Sequence, residues 1–185
     1  MVNSYPWQVS LVDPAWQHPK KPFCGGSIIS DRHILTAAHC TARSSISTLR
    51  VLLGEHDTTD SVADIRTISA ITDHPNYDSN KTVNDISILT LNSPITFSSI
   101  MSPVCLPEGM YMYIYVYRNN FLSEFDIQST GNSERFAGDL ATAIGWGFTF
   151  PGRDGSATLQ EVDITVAKND ECRNIWSHWP WPIME

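Results

Sequence analysis

Basic side chains are scarce in this sequence: 12 Lys and Arg stand against 20 Asp and Glu in 185 residues, a net charge of −8. That balance excludes the electropositive footprint of nucleic-acid binding and leaves no basic helix for an anionic membrane. Long apolar runs are missing too, none approaching the roughly 18 residues of a membrane span. The opening Met1-Val2-Asn3-Ser4-Tyr5-Pro6 has neither the charged nor the apolar region of an export signal, so no signal peptide is expected in this chain. Cysteine is limited to Cys24, Cys40, Cys105 and Cys172, with no C-x-x-C spacing. A zinc ribbon or finger is thereby disfavoured, and neither metal nor cofactor is assigned.

What the chain does have is 42% apolar content, enough for one good core or two small ones. Short apolar segments recur at 7–12, 27–29, 49–53, 65–71, 86–91, 141–146 and 159–166. Turn-forming clusters separate them: Gly25-Gly26, Asp57-Thr58-Thr59-Asp60, His74-Pro75-Asn76 and Pro151-Gly152-Arg153-Asp154-Gly155. This spacing predicts an all-β chain built as an antiparallel sandwich or barrel. One short helical turn is expected from Cys172 to Trp176, capped by Asn169-Asp170-Glu171.

Between Cys24 and Cys40, Ser27-Ile28-Ile29 and His33-Ile34-Leu35 read as strand segments around the polar Ser30-Asp31-Arg32 turn. A Cys24–Cys40 disulfide fits that hairpin. It would stabilise the fold by about 3 kcal/mol on the chain-entropy account and pin the backbone beside His39. Cys105 and Cys172 have no evident mates and are read as having partners outside this sequence, with pairing to each other the alternative.

Nucleophilic acyl transfer requires an imidazole within reach of a hydroxyl or thiol, and a carboxylate that holds the imidazole in one tautomer. His39 and Asp85 are the candidates: Ala37 and Ala38 leave room for a ring over the backbone, and Asp85 opens the apolar run 86–91. Several motifs in order then resemble the trypsin-like (chymotrypsin-fold) serine peptidases. They are Asn3-Ser4-Tyr5-Pro6-Trp7-Gln8-Val9-Ser10-Leu11, Phe23-Cys24-Gly25-Gly26-Ser27-Ile28-Ile29, Thr36-Ala37-Ala38-His39-Cys40, Asp85-Ile86-Ser87-Ile88-Leu89 and Gly145-Trp146-Gly147. Ser87 stands where that family usually has alanine.

The resemblance implies two chymotrypsin-like antiparallel β-barrels, the first near complete and the second only begun. The expected division is a first barrel over 1–107, a linker over 108–140 and an incomplete second barrel over 141–185. It implies further that His39 is the general base and Asp85 its orienting carboxylate, and that the substrate is a protein or peptide outside the cell. The serine of such a triad follows the aspartate by roughly ninety residues, which would place it beyond Glu185, and no Gly-Asp-Ser-Gly-Gly is present. Ser156, in Asp154-Gly155-Ser156, has the wrong order of neighbours for a nucleophile. The activating N-terminal sequence of the family is also missing ahead of Asn3. The expectation is therefore a fragment, truncated at both ends, inactive alone and a monomer if folded. The competing reading is a non-catalytic homologue that acts as a secreted binding module.

Residues 110–131 interrupt the pattern, with Tyr111-Met112-Tyr113-Ile114-Tyr115-Val116-Tyr117 alternating tyrosine and apolar residues. If Gly109 is encoded GGT, Gly109-Met110 contains a splice-donor-like GTATG, and Thr130-Gly131 can contain an acceptor-like AG. The segment is read as a translated intron, with a genuine insertion loop as the alternative. Asn80-Lys81-Thr82 is a glycosylation sequon, usable on export. Glu55, Asp57, Asp60 and Asp64 are read as a solvated acidic loop in preference to a calcium site. Trp176, Trp179 and Trp181 are read as core aromatics.

Overall fold

A computed structural model describes residues 4–15, 21–42, 44–59, 63–106, 136–147 and 155–168, with Asp170, Glu171 and Asn174. The strands in chain order are β1 (Gln8–Val12), β2 (Cys24–Ile28), β3 (His33–Thr36), β4 (Arg50–Leu53), β5 (Asp64–Asp73), β6 (Ser87–Leu91), β7 (Leu140–Gly145) and β8 (Gln160–Thr165). A four-residue helix, α1 (Ala38–Thr41), follows β3. The first six strands close into an antiparallel barrel in the order β1-β2-β3-β6-β5-β4, with β4 pairing back onto β1. This is the all-β, chymotrypsin-like architecture expected, with its first barrel near complete.

The barrel follows from period-two placement of branched side chains, because alternate residues of a strand share a face. Val9 and Leu11 in β1, Val51 and Leu53 in β4, and Leu89 and Leu91 in β6 all enter one cluster with Ile28, Ile34 and Ile68. Each fully buried Val, Leu or Ile contributes about 1.5–3 kcal/mol. Leu49 and Ile95, just outside the strands, plug the same core. Gly26 is required where β2 runs between β1 and β3: a Cβ there would stand 2.9 Å from both the Leu35 carbonyl oxygen and Ile34 Cγ2, and 3.2 Å from Val9 Cγ2.

β7 and β8 form a separate two-stranded sheet, paired from Leu140↔Thr165 to Gly145↔Gln160. Leu140, Val162 and Ile164 on it are exposed. It is tied to the barrel through the loop after β4. The His56 carbonyl accepts hydrogen bonds from Trp146 Nε1 (3.2 Å) and the Leu159 N–H (2.8 Å), and the Thr58 N–H donates to Ala157 O (2.8 Å). Tyr5 adds a hydrogen bond from its hydroxyl to Glu161, and that contact holds the phenol above its ordinary pKa.

Asp170, Glu171 and Asn174 have helical backbone where a short helix was expected, and the rest of that turn lies outside the described residues. So do the segment 110–131, Asp60, Cys172 and the three C-terminal tryptophans.

Candidate active site

Thr36 ends β3, and the chain turns at once into α1, whose N-cap Ala37 is extended (φ −88°, ψ 145°). Small residues allow this tight corner: Ala38 is wholly buried, so the ring on the next residue projects outward. Thr41 Oγ1 closes the short helix by donating to Ala38 O (2.8 Å), and shares a hydrogen bond with Asp73 Oδ1 (2.7 Å). β2 is held against α1 by the Cys24–Cys40 disulfide, with Cα atoms 6.1 Å apart. His39 therefore sits on a turn fixed from both sides.

Asp85 arrives on the neighbouring strand, immediately before β6, which pairs with β3 in the register Thr36↔Ser87. The approach depends on a turn in which Asp78 N–H donates to Val83 O (3.2 Å) and both Thr82 and Asn84 adopt positive φ, 53° and 55°. Asn tolerates this left-handed backbone, whereas Thr, being β-branched, is strained there. Asn84 Nδ2 donates to Asn76 O (2.8 Å), and His74 N–H donates to Ile86 O (2.9 Å). These bonds hold the residue before and the residue after Asp85, so the carboxylate direction is set by its neighbours.

The two side chains meet closely. Asp85 Oδ1 accepts the His39 backbone N–H at 2.7 Å, and Asp85 Oδ2 lies 2.6 Å from His39 Nδ1. An ionised carboxylate only accepts, so Nδ1 is the donor in this contact, and in the neutral imidazole the lone pair then falls on Nε2. The Asp85 side chain is only 11% exposed while that of His39 is 57% exposed. The carboxylate thus stands as a hydrogen-bond acceptor behind an accessible imidazole. Hydrogen bonds to a charged partner contribute about 1.5–3 kcal/mol each, and two of them fix a single rotamer of Asp85.

Nε2 faces the disulfide, 3.4 Å from Cys40 Sγ and 4.0 Å from Cys24 Sγ. On the Cys24 side of the disulfide, and without contact from His39, a cavity of about 320 Å³ runs between barrel and hairpin, lined by Gln8, Phe23, Cys24, Gly25, Trp146 and Gly147 among others. The contribution of Trp146 to this wall, and of Asn84 to aiming Asp85, was not visible in the sequence, since both depend on turns that bring distant residues together. Ser156 donates its backbone N–H to Gly147 O (3.3 Å), on the loop between β7 and β8.

Among the described residues, the acidic side chains Glu55, Asp57 and Asp64 do not converge on one point. Glu55 accepts from buried Ser10 Oγ (2.6 Å), and burial raises its pKa although that hydrogen bond opposes the shift. Asp57 turns to Thr59, whose side-chain and backbone hydrogen bonds lower its pKa. Asp64 is gripped by the Arg66 guanidinium at 2.6 and 2.8 Å. Asn80 is exposed, its N–H held by Asp78 Oδ1 (2.9 Å), and Cys105 is an exposed free thiol.

An antiparallel six-stranded barrel that presents a histidine and a largely covered aspartate in this geometry defines a chymotrypsin-like protease fold. A family profile described as Trypsin matches residues 1–180, and the chain belongs to that family of serine proteases. A venom serine protease of Polistes dominula is 33% identical over 178 residues, covering 92% of this chain and 54% of that protein. Ovochymase-2 of Mus musculus is 33% identical over 178 residues, covering 94% of this chain and 25% of that protein. The venom serine protease Bi-VSP of Bombus ignitus is 32% identical over 188 residues, covering 97% and 46%. The chain thus spans about half, or less, of the length of these curated relatives.

Proposed function

We propose that this chain is the histidine-aspartate half of an extracellular serine endopeptidase, with His39 the general base and Asp85 the carboxylate that orients it. The observation that carries the reading is the double contact of Asp85 with the His39 N–H and Nδ1, 2.7 and 2.6 Å. In the reaction, Nε2 takes the proton of a serine hydroxyl as its oxygen attacks a peptide carbonyl. The imidazolium so formed is stabilised by Asp85 and then protonates the leaving amine. The serine, the oxyanion donors and the specificity pocket belong to sequence beyond residue 185, and the chain as given is inactive alone. Loss of oxyanion donors by itself typically removes about 10² to 10³ in rate.

In this proposal residues 1–107 are the first barrel, 108–140 a linker with a translated intron at 110–131, and 141–185 the start of a second barrel. Protein substrates are supported by the family, and an extracellular site by the venom proteases among the relatives and by the disulfide. Asn80 carries the glycan.

The test starts from the genome downstream of codon 185. A nearby exon encoding Gly-Asp-Ser-Gly-Gly is expected, and the spliced product should hydrolyse peptide amides. His39→Ala should then lower kcat by 10³-fold or more, because the residual rate comes only from binding and the oxyanion hole. Activity unchanged in His39→Ala would refute the assignment. A serine-directed phosphonylating probe should leave the 185-residue chain unlabelled, and a label on it would overturn the claim of inactivity.

A further inference from the structure

The disulfide beside His39 has the makings of a metal site. Cys24, His39 and Cys40 offer ligand atoms within 4.8 Å of one another. In the oxidised protein the two sulfurs are bonded to each other and no thiolate is available. The distances from nitrogen to sulfur nevertheless match a different chemistry. A tetrahedral zinc ion with bonds of about 2.3 Å to sulfur and about 2.05 Å to nitrogen sets N···S edges of about 3.6 Å and an S···S edge of about 3.8 Å. Here the N···S separations are already 3.4 and 4.0 Å. Only the sulfur pair has to part, which is what reduction allows.

We infer that reduction of Cys24–Cys40 converts this corner into a zinc site, with two thiolates and His39 Nε2 as ligands and solvent in the fourth position. Two further observations support it. Asp85 already binds Nδ1, so the nitrogen left for the metal is Nε2, and a carboxylate behind a ligating histidine is the arrangement that raises ligand basicity at zinc. The exposed His39 ring leaves the outer coordination position open to water. The donor set of two thiolates and one imidazole selects a borderline-soft cation over calcium or magnesium. A trialkylphosphine opens the bond in a balanced step: phosphine, disulfide and water give phosphine oxide and two thiols. Zn²⁺ then displaces both thiol protons to solvent. On the base role proposed above, the metal occupies the lone pair that would accept the serine proton, so the reduced, zinc-loaded state has no free base.

The experiment does not depend on hydrolysis. The chain carrying Cys105→Ser and Cys172→Ser is reduced with a trialkylphosphine under nitrogen, desalted and titrated with Co²⁺. One cobalt per chain is expected, with thiolate charge-transfer bands and tetrahedral d–d bands, displaced by one equivalent of Zn²⁺; the oxidised chain should show neither. His39→Ala should weaken cobalt binding at least tenfold, and Asp85→Asn by about 10- to 100-fold. Failure of the reduced chain to bind, unchanged affinity in both variants, or the same spectrum from oxidised protein would each overturn the inference. Should reduction unfold the barrel, Zn²⁺ must restore its β-sheet circular dichroism, because metal binding then drives folding. A chain that stays unfolded with zinc present counts against the site.

Discussion

Gly25 and Gly26 are adjacent in β2 and look equivalent in the sequence, yet replacing each with alanine should have different consequences. At Gly26 the new Cβ meets the Leu35 carbonyl oxygen at 2.9 Å and, at 2.9 and 3.2 Å, methyl groups of Ile34 and Val9. Ile34 and Val9 are both fully buried in the core, and Leu35 is paired to Ser27 across β2 and β3, so none can retreat without disturbing the barrel. Overpacking of this kind costs about 1–3 kcal/mol. At Gly25 the first atom met is Nε2 at the end of the Gln8 side chain, 2.9 Å away, and the next is Val9 O at an ordinary 3.6 Å. A side-chain tip can swing aside, so a loss under about 1 kcal/mol is expected there. Urea denaturation followed by tryptophan fluorescence should show a lower midpoint at unchanged slope for Gly26→Ala. A loss near 2 kcal/mol would correspond to a fall in Tm of roughly 4–8 °C for a chain of this size. Equal effects at the two positions, or a Gly26→Ala chain as stable as the parent, would refute the close-approach argument.

Removing the disulfide with Cys24→Ser and Cys40→Ser together should cost about 3 kcal/mol, read as a shift in the urea midpoint. A change below about 1 kcal/mol would mean that β2 and α1 are held by packing alone. The raised pKa of Glu55 makes its ionisation unfavourable to the fold: stability from this group is full below its ordinary value of 4.5 and is lost as pH rises through the folded pKa. Glu55→Gln keeps an acceptor for Ser10 and should therefore gain in Tm relative to the parent as pH increases through that window; a variant less stable at neutral pH contradicts the assignment. Expression through a secretory pathway should add one glycan, removable by an amidase and absent from Asn80→Gln; identical gel mobility of the two glycoforms would exclude Asn80 as the acceptor.

Much of the barrel was legible because its strands alternate branched apolar residues, as at Val9 and Leu11 or Leu89 and Leu91, and period two survives in the sequence. β2 was legible only in part: it begins at Cys24, and its first residues include two glycines with no apolar signal, placed there for close backbone approach. The ten-residue β5 exceeds the expected segment at both ends because polar residues there are paired across the sheet, Asp64 with Leu53 of β4 and Thr72 and Asp73 with Ile88 and Ser87 of β6. α1 has four residues and no side-chain cap, too short to leave a helical period. His39 and Asp85 were marked by their motifs, but the second Asp85 hydrogen bond, to the His39 backbone, needs the turn through Thr82 and Asn84 and could not be read from spacing. The approach of Nε2 to the disulfide sulfurs arose the same way, from a corner that folds the ring back over its neighbour.

Closure of the barrel through β4 and β1 has a consequence for the order of events during synthesis. Every strand of the barrel lies between Gln8 and Leu91, so its hydrogen-bonded ring is complete once that length of chain has left the ribosome. Domains fold from the N-terminus as they emerge. His39 and Asp85 can therefore be locked together before any residue of the β7–β8 hairpin is translated. The β7–β8 hairpin would then assemble against an already formed His39–Asp85 pair, with the closed barrel as a rigid template.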